Sequence, residues 1–141
     1  YFNALFGQCF SRNNDNSMNA ALNYGSSLIL SAVNREVCAC GYLTQIGLFH
    51  DNMFNYYNLS CDLMEPFRII VDRLVAKKRY TSFGTEEKHE LIRLFETQVI
   101  IAGQEQYLQN AIKIYCRSVF DALNGNDSSL IRFFRFCGDE V

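Results

Sequence analysis

The chain has 141 residues, enough for one ordinary domain burying about two-thirds of the surface of its unfolded chain. The apolar share is 49%, yet no run of about eighteen apolar residues occurs, so no membrane-spanning helix is expected. A net charge of -2 and a pI near 5.6 exclude a protein that coats nucleic acid by bulk electrostatics, so any DNA contact has to be local.

Residues 1 to 10 carry Phe2, Leu5, Phe6 and Cys9 on one helical face, and the polar SRNNDN run after them reads as a turn. A second helix is predicted from Ser17, an N-cap residue type, to Cys40, with Gly41 placed where left-handed backbone ends helices. Its apolar stripe is Met18, Leu22, Ile29, Val33 and Val37. A second row, Asn19, Asn23, Ser27, Ser31 and Asn34, lies within about 120° and carries no charge, whereas a solvated face collects Lys and Glu. Two readings of that row stand: it lines a DNA or metal-proximal groove, or it packs closely on a neighbouring helix through small polar groups and Gly25.

The stretch from Gly47 to Asp72, GLFHDNMFNYYNLSCDLMEPFRIIVD, places a histidine in a turn and a helix-borne carboxylate fifteen residues later. Read as a helix from Leu59, it has Leu59, Leu63, Phe67, Ile70 and Leu74 as one buried stripe. Asp62, Arg68 and Asp72 then fall within about 60° of Glu65 on the other face. Carboxylate oxygen from Glu65 and imidazole nitrogen from His50 suit a Mg²⁺ or Mn²⁺ site left partly open to substrate. The same spacing also fits a capping box, Asp62-x-x-Glu65, with Pro66 tolerated in a first helical turn. Arg68, Arg73, Lys77, Lys78 and Arg79 enclose only one acid, Asp72, and give this helix a positive end suited to a DNA backbone. The local alternative is cations complementing the helix dipole.

Further on, a helix restarts near Thr85, an N-cap type with Glu86 and Glu87 behind it, and His89 is expected to be exposed and structural. TQVIIAGQEQ reads as a short hairpin around Gly103. Tyr107 to Leu123 follows as a helix, with Leu108, Ala111, Ile112, Tyr115, Val119 and Leu123 at helical spacing and Asn124-Gly125 as its stop. The closing LIRFFRF interleaves arginine with phenylalanine as base-stacking segments do, but a terminal amphipathic helix with Phe133 and Phe134 packed inward is expected. Cys9, Cys38, Cys40, Cys61, Cys116 and Cys137 read as reduced, mostly buried small hydrophobes. Cys38 and Cys40 on a helix point about 160° apart, poor geometry for the alternative Cys38/Cys40/His50/Cys61 zinc site. No phosphate loop, G-x-S-x-G, C-x-x-C or H-E-x-x-H motif occurs. The fold class expected is mainly α, one helical bundle over 1–141 with a short hairpin near 97–106.

YFNALFG, NAALNYG, IGLFHDN and LSCDLMEPFR, in this order and spacing, resemble the CRISPR-associated integrase-nuclease of the adaptation module, the Cas-one family in its type II form. The resemblance is close over roughly residues 1 to 75 and looser beyond, and Ser26 departs from the aromatic residue that commonly follows NYG there. It implies a Mg²⁺- or Mn²⁺-dependent endonuclease and integrase working in a prokaryotic cytoplasm. His50 falls on the family's metal-ligating histidine, Glu65 on the second carboxylate of its D-x-x-D/E motif, and Asp62 on the first, supporting one. The family's other ligand, a glutamate expected a few residues before YFNALFG, has no counterpart in this sequence. Double-stranded DNA, both spacer precursor and CRISPR repeat, the small protein Cas-two, and a homodimer through an N-terminal β-rich domain are the partners implied. The basic run from Arg68 to Arg79, with Asn19 and Asn23, is the DNA contact expected here.

Overall fold

The computed structural model describes residues 1–7, 10–12 and 16–138, so the expectation for Cys9 lies outside the described residues. They divide into two compact units, Tyr1–Ile29 with Phe67–Leu94, and Leu30–Pro66 with Phe95–Val141.

The first unit is helical. Helix α1 (Phe2–Phe6) ends at Gly7, whose φ of 96° needs a residue without a Cβ, and Phe2, Phe6 and Phe10 gather their rings there. The first half of α2 (Ser17–Ala39) buries Ala21, Leu22 and Ile29. Its cap is Asn16 and not Ser17, because Asn16 Oδ1 accepts the Asn19 N–H at 2.9 Å while Ser17 Oγ donates to the Thr81 carbonyl. Gly25 is where this helix meets α4 (Arg68–Lys78): a Cβ on it would stand 2.5 Å from Val71 Cγ1. Helix α5 (Thr85–Ile92) starts one residue after its cap, Gly84, whose N–H donates to Glu87 Oε2 at 2.7 Å, so Thr85 is the first helical residue and not the cap. His89 is exposed on it.

The second unit holds the rest of α2, a long loop, α3 (Asn58–Met64), a small sheet and α6 (Leu108–Gly125). Helix α2 ends as expected, with Gly41 at φ 81° and the Tyr42 N–H reaching back to the Val37 carbonyl, the hydrogen bond of a Schellman end. Strands β1 (Gln98–Ile101) and β2 (Gln104–Tyr107) form the expected hairpin on a two-residue turn, Ala102-Gly103, both at positive φ. Strand β1 buries Val99 and Ile101 and packs on α6. Helix α6 buries Leu108, Ala111, Ile112, Tyr115 and Val119, but Leu123 is 46% exposed. The helix stops at Gly125, within the expected Asn124-Gly125 stop, and is capped by left-handed Asn126.

Two expectations about whole elements are corrected. The single helix from Leu59 to Leu74 is broken: α3 stops at Met64, a 3-10 turn takes Glu65–Phe67, and α4 follows. Pro66 has no N–H to give to the Asp62 carbonyl, and the Glu65 N–H takes that carbonyl instead. Within α4, Ile70, Val71, Asp72 and Val75 are buried while Leu74 is only half-buried. The terminal segment is likewise not a helix. Arg135–Phe136 forms β3 on the open edge of β1, giving the order β2-β1-β3, and Phe133 is 62% exposed. That edge offers unpaired backbone groups, and an aromatic run fits a pleated surface as well as a helix face.

The described cysteines are all free thiols, but Cys116 alone among them is buried; Cys38 and Cys137 are exposed. Cys38 lies off the stripe that ends in Val33 and Val37, and Cys137 sits in the terminal turn. Among the described residues no helix is long and apolar enough to cross a membrane.

Candidate functional site

The loop between α2 and α3 is held by hydrogen bonds of its own. Tyr42 opens it, stacked on Phe120 with ring centroids 3.9 Å apart and donating its hydroxyl to Asn124 Oδ1 at 3.0 Å. Thr44 Oγ1 donates to the Tyr56 carbonyl at 2.7 Å, and the Leu59 N–H donates to the Thr44 carbonyl at 2.9 Å, so the two ends of the loop run together. Between them Asn52 and Asn55 accept the N–H groups of Phe54 and Tyr57, the short side-chain turns that asparagine makes two residues on.

His50 lies inside this loop, and Asp62 of α3 fixes it. Asp62 accepts the N–H groups of Leu48, Phe49 and His50 at 2.6, 2.9 and 3.1 Å, and its Oδ1 is 2.5 Å from His50 Nδ1. The Asp62 side chain is 8% exposed and that of His50 42%. Gly47 makes the turn possible, because a Cβ there would run into the His50 carbonyl and approach Asp62 Oδ2. Asp62 is thus no cap of its own helix. It sits well inside α3, and its carboxylate is spent on loop N–H groups, which overturns the capping-box reading. Burial works against the charge on Asp62, but the N–H groups of Phe49, His50 and Leu48 and the His50 ring outweigh it, and the carboxyl is held below its ordinary value. With the Nδ1 proton donated to Asp62, the histidine lone pair is on Nε2, the arrangement by which a carboxylate orients a metal-binding imidazole.

Glu65 opens the 3-10 turn one helical turn beyond Asp62 and is exposed. Among the described residues no three of His, Cys, Asp and Glu are placed to share one metal ion, the Cys38/Cys40/His50/Cys61 set included. His50 Nε2 and the Glu65 carboxylate are donors of the type a hard divalent cation takes, so the residues present fit part of such a shell.

In the other unit, the basic end of α4 is exposed at Arg73, Lys77, Lys78 and Arg79, while Arg68 is half-buried. Lys78 pairs with Glu90 of α5, which also accepts the Tyr80 hydroxyl at 3.2 Å. Arg79 ends the helix in the left-handed region, at φ 50° and ψ 61°. Asp72, expected on the exposed face, is buried and accepts the Tyr1 hydroxyl at 3.0 Å. The uncharged row on α2 divides as well. Asn19 is buried and, with Asn23, accepts the guanidinium of Arg12 at 3.0 and 2.7 Å, whereas Asn23 is exposed. Burial, ahead of the neighbouring Arg68, holds the Arg12 guanidinium below its ordinary value.

A profile of the family described as CRISPR associated protein Cas1 matches residues 5–93, which takes in α2, the His50 loop, Asp62, Glu65 and the basic end of α4. The chain belongs to the Cas1 family. One relative, the CRISPR-associated endonuclease Cas1 of Neisseria meningitidis serogroup C (strain 8013), is 45% identical over 75 residues. That match takes in 53% of this chain and 25% of the relative, so the chain spans about a quarter of the relative's length. A solved structure described as a casposase bound to integration product shares the fold, with a TM-score of 0.66 over 84% of this chain and 40% of that one at 23% identity.

Three residues of this Cas1 chain matter to the loop and the basic face yet escape sequence reasoning. Asn58 sits where a helix begins and looks like a cap, Gly47 looks like any loop glycine, and Arg12 hides in a polar turn. The one signal pointing at them was the run of asparagines, at 19 and 23 for Arg12 and at 52 and 58 for the loop.

Proposed function

We propose that this chain is the helical, metal-binding lobe of a DNA integrase and endonuclease that inserts foreign DNA fragments into a CRISPR array, the adaptation step of antiviral defence. The latch of Asp62 on the His50 loop carries this reading, together with membership of the Cas1 family: it orients an imidazole with Nε2 outward and sets a second carboxylate, Glu65, one turn further on. His50 and Glu65 are the catalytic metal ligands in this reading and Asp62 supports His50. Mg²⁺ or Mn²⁺ held there supplies charge that polarises the scissile phosphate toward an oxygen nucleophile. The protein's own residues bind and orient. Arg73, Lys77 and Arg79 hold the DNA backbone, with Lys78 available once it leaves Glu90, and Arg68 and Asn23 flank them.

The Neisseria relative is called an endonuclease, and the casposase neighbour is described with an integration product, which supports a DNA strand-joining substrate. A Cas-two partner, a homodimer through an N-terminal β-rich domain and a prokaryotic cytoplasmic setting belong to the same reading. A non-catalytic helical scaffold is the second reading, and one observation favours it: no three-ligand cluster exists among the described residues. The test uses the protein extended to the length of its relatives. His50→Ala and Glu65→Ala are expected to abolish strand joining and to lower Mn²⁺ affinity by calorimetry, with duplex DNA affinity within about twofold of wild type. Unchanged strand joining in both variants sinks the reading and leaves the scaffold.

A further inference from the structure

Asn58 is 3% exposed at the first residue of α3, and its amide is used on one side only. Its Nδ2 donates to the carbonyls of Gln45 and Asn52, each at 2.9 Å, while its Oδ1 is buried with no hydrogen-bond partner among the described residues. Leaving an acceptor unmet inside a protein is costly, so an asparagine in this setting is retained for its two donor bonds. Those bonds reach the loop on both sides of His50, at Gln45 before it and Asn52 after it. One helical turn along the same face of α3, Asp62 takes the N–H groups of Leu48, Phe49 and His50. Asn58 therefore binds carbonyl groups and Asp62 binds N–H groups of one loop. Between them the backbone that carries His50 is fixed at five points.

We infer that Asn58 is a positioning residue for His50, acting through the loop backbone and not through contact with substrate or metal. The inference rests on the reading of His50 as a catalytic ligand. The His50 side chain is 42% exposed, so packing around the ring does little to place it: Asp62 sets the ring's rotation through Nδ1, and the loop backbone sets where the ring stands. Misplacement of a reacting group by about 1 Å costs on the order of a hundredfold in rate, which is the scale on which loss of Asn58 acts. Aspartate at this position has the same size and the wrong chemistry: both its oxygens are acceptors, and one would face two carbonyl oxygens.

The experiment compares Asn58→Ala, Asn58→Asp and Asn58→Ser with His50→Ala in the protein extended to the length of its relatives. Strand joining is followed as kcat and KM for DNA, and amide hydrogen exchange is read residue by residue. Asn58→Ala and Asn58→Asp are expected to lower kcat by about 10- to 100-fold with KM within about twofold. Amides 48 to 52 exchange faster in both, and those of α6 do not. Asn58→Ser keeps one donor and is expected to fall between them and wild type. Wild-type kcat in Asn58→Ala beside an inactive His50→Ala overturns the inference while leaving the proposed function standing. Full activity in His50→Ala overturns both. Loss of activity with equally accelerated exchange throughout α6 makes Asn58 a residue of general stability and overturns the positioning role.

Discussion

Asp62 gathers hydrogen bonds from three loop N–H groups and the His50 ring onto one carboxylate. Its pKa is depressed in the folded chain, so its contribution to stability is complete above the ordinary carboxyl value of 3.8 and is lost as pH falls through the lower folded value. The stability difference between the wild-type chain and Asp62→Asn, from urea unfolding, is therefore expected to be about 1–3 kcal/mol above pH 5 and to close below pH 3.8. A difference that stays flat down to pH 2 would mean the N–H groups do not depend on the charge. The motif singles out His50 and Glu65 as candidates, while for Asp62 the sequence leaves two roles open, a helix cap and a support for His50. Spacing along a helix says which side chains share a face, and it is silent on which loop folds over that face.

At the scale of elements, periodicity locates α2 and α6, cap and turn residues locate α5 and the hairpin, and both fail where one residue alters the backbone path. Pro66 breaks the helix into a 3-10 turn, and Asp72 beyond it lies in the interior under the Tyr1 hydroxyl instead of on the expected open face. The last strand was missed for a different reason: pairing with β1 is a contact between segments far apart in the chain, and FFRF has no local feature that chooses strand over helix. The hairpin turn carries a cost that can be measured. Ala102 has φ 52° beside Gly103 at φ 77°, and a type I′ turn prefers asparagine or glycine in that first position. Ala102→Asn is expected to stabilise the chain by about 0.5–1 kcal/mol, read as a raised denaturation midpoint at unchanged slope. A fall in the midpoint would show that the Ala102 methyl is held by packing that outweighs the turn.

For the molecule as a whole, a net charge of -2 means that the DNA binding proposed for it rests on a few residues and not on the overall field. Lys77, Lys78 and Arg79 neutralised together are expected to lower DNA affinity for every sequence and to flatten its salt dependence. The loss is expected near two contacts rather than three, since Lys78 is engaged with Glu90, which is about 1.8 in the logarithmic slope at roughly 0.9 per phosphate. An unchanged slope, measured by fluorescence anisotropy across salt concentrations, would place the DNA elsewhere on the protein. Arg79 adds a tension that selection experiments would expose. It holds a left-handed backbone position that glycine occupies at less cost, so Arg79→Gly is expected to raise stability by about 1 kcal/mol while weakening DNA binding. Libraries screened for heat resistance alone would then enrich glycine at this position, and libraries screened for the proposed DNA binding would restore the arginine.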